Sequence, residues 1–381
     1  MFTPLKDLPD GRNWTLDELN EIEVKLLLPV IIFISITMVV GIVGNALVLY
    51  VHVFTFKLEI ATHRYFITFL AMADITFCLI CEPCIIVVLT HPYTFTNGLA
   101  CKFLRAFSYF NILVSILVLS IIALDRYRRI CRPHENQFSK RRIKLIFGII
   151  MLISFIFSTP CFILYGRNTV QTGVANITGF QCFPDDTYKD TLFPNAYVIF
   201  LFAVYLTLTA GIAVLYTLVW REIRKHKHAI KSRGLSYAIK LNAPSYTAET
   251  NVIETASSPT TQSLNAIFYD EISVDDPGKG TKEWKKTDKY KWQDQKVKSI
   301  RESKMLFAVT AFFAFSFAPF LSLEIITFFN EQFIDDLDNT STLFYQLFWR
   351  TFAIHFMVNP FIYGVMDRRF RIECKKLVSK E

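Results

Sequence analysis

The chain has 381 residues, 52% of them hydrophobic, with 41 Lys and Arg against 33 Asp and Glu and a formal net charge of +8. With a positive mean hydropathy, this excludes an ordinary soluble globular protein, whose apolar residues fall in fewer and shorter runs. The apolar runs are also far longer than the strands of a membrane β-barrel and do not alternate in polarity, which excludes that architecture.

A helix crosses the hydrocarbon layer with about 20 mainly apolar residues. Seven such segments follow one another: Leu26 to Val51, Tyr65 to Leu89, Lys102 to Leu124, Leu145 to Tyr165, Thr191 to Trp220, Met305 to Phe329 and Leu343 to Met366. They predict an all-α membrane protein, a seven-transmembrane helix bundle whose spans are numbered one to seven here. Residues 1–25 precede it without an apolar core, so no cleavable signal is expected and span one acts as the targeting element. Spans one to five occupy 26–220 and spans six and seven 305–366. Between them, 221–304 is polar, with a Ser/Thr-rich middle, "TAETNVIETASSPTTQSLN", and a basic end. Low hydrophobicity and mixed charge predict a long disordered loop, with helix running inward from span five through Lys227 and resuming near Lys298. Its middle reads equally as a phosphorylation platform or as a plain linker. After span seven, residues 367–381 alternate Phe370, Ile372 and Leu377 with Arg and Lys, which predicts a short amphipathic eighth helix on an anionic leaflet.

Basic residues set the orientation. The segments after spans one, three and five and the C-terminal tail hold 33 of the 41 Lys and Arg, so that side is cytoplasmic and the N-terminus is outside. Three N-x-[ST] sequons, at Asn13, Asn176 and Asn339, all fall on the outer side, where glycosylation occurs. Fifteen acids face 8 bases there. Such a field favours a cationic ligand, for instance a basic peptide; ordinary solubility produces the same field.

Cys101 opens span three and Cys182 lies in the loop between spans four and five, both on the oxidising side, where a bridge would tie that loop over the bundle. Cys374 follows the last span, in position for a palmitoyl anchor. Cys78, Cys81 and Cys84 are either a metal site or small packing residues. Their spacing turns about 300° per step and favours packing.

An ionisable group inside a span needs a reason. Asp74 lies near the middle of span two, with Asn45, Asn111, Ser115, His355 and Asn359 at comparable depth. Asn111 with Ser115, and His355 with Asn359, share helix faces. Converging on Asp74, they would form a polar chamber for a proton, water or a monovalent cation such as sodium, or else a structural hydrogen-bond cluster. Nearer the outside, Glu82, Arg105, Glu324 and Arg350 accompany Phe317, Phe320, Tyr345 and Trp349. They read as a ligand cavity; the alternative is internal ion pairs, Glu82 with Arg350 or Arg105 with Glu324. At the inner end of span three, nineteen uncharged residues, Ala106 to Leu124, give way to Asp125-Arg126-Tyr127. Asp125 can neutralise Arg126 there while the bundle is shut.

Several of these residues together resemble a family. "GNALVL" with Asn45, "LAMAD" with Asp74, Cys101 followed 25 residues later by Arg126 in "DRYRRICRP", "FFAFSFAPF" with Phe313 and Pro319, and "NPFIY" from Asn359 through Pro360 to Tyr363 occur in order on the expected spans. The chain is identified as resembling the rhodopsin-like (class A) G-protein-coupled receptors, most closely the neuropeptide-type receptors. The N-terminus and third inner loop lie outside the resemblance. Ile150 stands where the family has a span-four tryptophan, Leu208 where it has a span-five proline, and Phe317 where it has the tryptophan above the span-six kink. His355 replaces an asparagine of the chamber, which counts against sodium. No acid occurs at Ser299, so the resemblance implies a weak or missing clasp between Arg126 and span six, with Asp125 the only clasp. Ser108 stands where amine receptors carry an aspartate, and no lysine lies between Lys304 and Lys375 to form an opsin's Schiff base.

The resemblance implies a multi-pass plasma-membrane receptor for an extracellular ligand, a peptide in preference to a non-peptide small molecule. It also implies coupling to heterotrimeric G proteins, arrestin and receptor kinases, with contact to membrane lipid. Binding would swing the inner end of span six outward at Pro319, opening a crevice lined by Arg126, Tyr216 and Tyr363, with Ile130 and Pro133 on the partner loop. A polytopic transporter is the remote alternative. Paired catalytic aspartates, a His-Glu metal motif and a Ser-His arrangement are all missing, so no enzyme, cofactor or nucleic-acid partner is expected.

Overall fold

A computed structural model of the chain describes residues 13–55, 62–241, 283–330, 333–334 and 336–379. The chain divides into two compact units, Met1–Trp220 with Arg301–Glu381, and Arg221–Ile300. In the first, helix α1 (Leu16–Tyr50) starts ten residues before the expected span. The reason is legible: Thr15-Leu-Asp-Glu18 is a capping box in which the Thr15 hydroxyl accepts from the Glu18 N–H and the Glu18 carboxylate accepts from the Thr15 N–H.

Span two comprises α2 (Thr62–Thr76), a π turn (Phe77–Cys81) and α3 (Glu82–Thr90). Pro83 has no N–H to continue the α ladder, and the Glu82 N–H bonds back to Phe77 instead. Span three is α4 (Gly98–Cys131), and span four is α5 (Lys140–Ser158) with the short α6 (Cys161–Leu164). An antiparallel hairpin follows, β1 (Tyr165–Gln171) and β2 (Thr178–Pro184), pairing Arg167 with Cys182. Its turn uses left-handed backbone at Gly173 (φ 90°) and Asn176 (φ 66°). Span five is α7 (Leu192–Leu241) and span six α8 (Glu283–Phe329), so helix runs further from both spans than Lys227 and Lys298 implied. The expected disorder and phosphorylation platform of 242–282 lie outside the described residues.

Among the described residues, six helical stretches are long and apolar enough to cross a membrane. The seventh span is two helices, α9 (Asn339–Phe348) and α10 (Ala353–Met366), joined by a tightened turn. The N–H groups of Arg350, Thr351, Ala353, Ile354 and His355 each bond three residues back rather than four. The expected eighth helix is α11 (Arg368–Val378), capped by Asp367 and anchored by buried Phe370 beside Tyr363 and His52.

Side chains such as Val43, Leu145, Phe315 and Val365 point outward although apolar, as a bilayer-facing surface requires. Inside, Phe66, Leu70, Leu119, Ile122, Leu306, Phe313 and Tyr363 belong to one apolar core. Close backbone approach closes the seam between spans one and seven: a Cβ on Gly44 would lie 2.7 Å from the Pro360 ring.

Candidate functional site

Two clusters of charge lie inside the bundle at opposite ends, and a polar chamber lies between them. At the end where α11 lies, Asp125 and Arg126 are fully buried. Arg126 donates through Nε to Asp125 at 3.1 Å and through Nη2 to the same oxygen, while Arg129 adds a bond of 2.9 Å. Arg126 Nη1 also donates to Glu302 at 3.2 Å. This corrects two expectations. Span six does supply an acid to Arg126, and Asp125 is not the only clasp. Glu302 stands three residues after Ser299, nearly one helical turn along the same face, which is the signal that sequence reading overlooked. Around this group Ile130 is buried and Pro133 exposed. Tyr127 receives an Arg132 bond at 3.3 Å, and Tyr216 meets the Thr310 hydroxyl at 3.4 Å. The Tyr363 hydroxyl is buried without a hydrogen-bond partner.

In the chamber, Asn359 donates to Asp74 at 2.7 Å, and Asn45 donates to the Phe356 carbonyl at 2.7 Å, joining spans one, two and seven. The expected convergence is partial. Asn111 turns back onto the Phe107 carbonyl of its own helix. Ser115 and both ring nitrogens of His355 are buried without partners, as is the second oxygen of Asp74. His355 is instead packed edge-on against Phe313 at 4.7 Å, extending an aromatic column through Phe317 at 4.6 Å from Phe313. These unpartnered groups fit a small polar guest, but His355 adds no oxygen ligand for a hard cation. Cys78 and Cys81 are buried and Cys84 half-buried, and no group of three metal-ligating side chains occurs among the described residues.

At the end where α1 begins, Trp349 organises the charges. Its indole N–H donates to Glu324 at 2.8 Å, and Phe320 packs on it at 5.7 Å. The guanidinium groups of Arg105 and Arg350 lie 5.7 and 5.2 Å from its ring. Arg105 also lies over Tyr165 at 5.4 Å and donates to the Cys182 carbonyl at 3.1 Å. Arg350 donates to the Gln346 carbonyl at 3.0 Å and to the Gln346 side chain. The tightened turn at 350–355 brings Trp349 and Arg350 round together, and Thr351 fastens it to the Ser316 carbonyl of span six at 2.9 Å. Neither alternative ion pair forms. Glu82 is held by Thr37 at 3.1 Å, in the seam between spans one and two. Ser108 lies beside the Cys81 thiol of span two.

The expected bridge between Cys101 and Cys182 is present, with Cα atoms 5.3 Å apart. It ties the hairpin to span three. The hairpin's Phe180 then pairs with the loop after span two, through Phe95 N–H at 3.0 Å and the Tyr93 carbonyl at 2.7 Å. The alternating "YGRNTVQ" and "TGFQCFP" around a Gly- and Asn-containing turn carry a hairpin signal not used in the sequence reading. Asn13, Asn176 and Asn339 are exposed.

The chain is 28% identical over 239 residues to neuropeptide Y receptor type 2 of Mus musculus, covering 59% of this chain and 58% of that protein, and equally so to the Homo sapiens receptor. It is 28% identical over 163 residues to the Mus musculus neuropeptide S receptor, covering 39% of this chain and 42% of that one. The matches thus span less than two thirds of these relatives' lengths. The profile of the 7 transmembrane receptor (rhodopsin family) matches residues 44–363. Since that range includes most of the chain and all the clusters just described, this multi-pass membrane protein belongs to the rhodopsin family of seven-transmembrane receptors.

Proposed function

We propose that the chain is a plasma-membrane receptor, N-terminus outside, that binds an extracellular peptide and activates heterotrimeric G proteins by outward movement of the inner end of span six. The observation that carries this reading is the inner arginine. Arg126 is fully buried, yet one of its two acids, Glu302, sits on the span that would have to move. An ion pair between two helices has two discrete arrangements, made and broken, and a ligand favouring the broken one shifts the population toward it. Pro319, within α8, leaves one rung of the helix ladder unmade and makes a bend inexpensive. The peptide preference is supported by the relatives, whose names give neuropeptide Y and neuropeptide S as their ligands. Exposed Asn13, Asn176 and Asn339 are the glycan sites of this reading, and half-buried Cys374 on α11 is its palmitoylation site.

The test is nucleotide exchange by purified G-protein heterotrimers on membranes containing the full chain, against a panel of neuropeptides. At least one peptide should accelerate exchange saturably, and Arg126→Ala should abolish the acceleration. Acceleration by no peptide, or acceleration that persists in the variant, counts against the proposal.

A further inference from the structure

Arg350 is only 4% exposed, and Arg105 is half-buried. Both share the Trp349 ring, and the Nε of each is buried without a hydrogen-bond partner. Among the described residues, neither makes an ion pair. The bonds they do form go to neutral acceptors, the Cys182 carbonyl and Gln346. A buried guanidinium without a carboxylate is costly, and a guanidinium is built to grip a planar anion through two parallel N–H groups. One acid stands in the same group, Glu324, already held by the Trp349 N–H. Two cations and one carboxylate leave a single positive charge, which a monoanion matches.

We propose that the Arg105–Trp349–Arg350 group seats a carboxylate, the free C-terminal carboxylate of the peptide ligand. The peptide part of this assignment rests on the proposed function above. Phe320 at 5.7 Å from Trp349, with Tyr109 and Tyr165, gives the terminal residue an aromatic wall. Exposed Asp17, Glu21, Asp336 and Asp338 lie on the same side of the bundle and suit a basic body further out. The ligand is therefore bipolar, basic along its length and anionic at the end that enters the bundle. Reading the outer charge alone yields only the cationic half.

The test uses the purified full chain in detergent, with no G protein, and follows thermal unfolding. The probes are acetyl-Arg-Arg-Phe as the free acid, the same tripeptide as the C-terminal amide, and laurate. A ligand of the folded state raises the midpoint in proportion to ln(1 + [L]/Kd), so the acid should raise it by about 2–4 °C at concentrations up to about 20 mM. The amide should need at least about tenfold more for the same shift. Arg105→Gln and Arg350→Gln should each erase the difference between acid and amide, while Arg167→Gln, on the hairpin outside the group, should leave it. If Arg350→Gln does not fold, the half-buried Arg105 carries the test. Equal shifts from acid and amide, no shift from either, or a difference that survives both variants overturns the proposal. A shift from laurate with none from the peptide acid also overturns it, assigning the group to a lipid carboxylate. Failure here leaves nucleotide exchange untouched, and failure of peptide-stimulated exchange leaves this binding result standing.

Discussion

Arg126 and Arg350 are the same side chain in opposite settings. Both are buried in the bundle, one at each end. Arg126 meets carboxylates from its own helix and from span six; Arg350 meets a neutral Gln346 and the face of an indole. Removing one member of a buried ion pair strands the other, whereas a guanidinium that makes no ion pair among the described residues is open to whatever anion arrives. The first arrangement stores a closed state within the protein. The second, in the proposed reading, leaves the closing group to the ligand.

The largest expected effect breaks the first arrangement. Arg126→Ala should lower peptide-stimulated nucleotide exchange more than about tenfold while the receptor still reaches the surface, because Arg129 continues to cover Asp125. Surface labelling together with the exchange assay checks both halves. Next comes the wrapper of the second arrangement. Cys101→Ser or Cys182→Ser should cost about 2–5 kcal/mol and release the carbonyl to which Arg105 donates. The readouts are the amount of folded receptor at the surface and the thermal midpoint, and unchanged values in both variants would mean that the bridge does not stabilise the fold.

Glu302→Gln sharpens the comparison on the latch side. Its carboxylate is 17% exposed and makes one contact with Arg126 among the bonds described, so its loss is worth about 1 kcal/mol. Basal exchange should rise about fivefold, against a larger rise for Asp125→Asn, which removes the negative charge that draws three bonds. On the other side, Trp349→Phe keeps a ring for the two guanidinium groups but loses the N–H that holds Glu324. Peptide potency should fall about fivefold, corresponding to one hydrogen bond of about 1 kcal/mol.

The smallest effect is on pH. Partial burial alone would raise the Asp186 pKa, but bonds from the Thr169 hydroxyl and N–H and from Lys189 outweigh it and hold the carboxyl at about 2, below its usual 3.8. A depressed acid contributes stability above its unfolded value and loses it as pH falls through the folded one. Hydrogen-exchange protection of the Thr169 amide should therefore be constant down to about pH 4 and decline toward pH 2. Asp186→Asn should flatten that decline.

The parts of the site that sequence reading reached are those carried by spacing along one helix. Asp125 beside Arg126, Asn359 one turn after His355, and Cys101 at the head of span three are short-range facts. The parts it missed depend on a second helix. Glu302 reaches Arg126 only because span six presents that face to span three. Arg105 and Glu324 both lie within reach of Trp349, yet the acid goes to the indole N–H and the cation to the ring. The early start of α1 and the hairpin were both written in local signals, the capping box and alternating residues, and went unused.

The sequence by itself determined the number of spans, their order and which loops carry the basic charge. Those properties follow from the length of apolar runs against a fixed bilayer thickness, which involves no partner. Only the tertiary structure decided which buried charge is closed and which is open. That depends on the rotation of one helix against another, and in span seven on a turn tightened from four-residue to three-residue spacing around Arg350. A shift of that kind moves a guanidinium from one set of neighbours to another without changing a letter of the sequence.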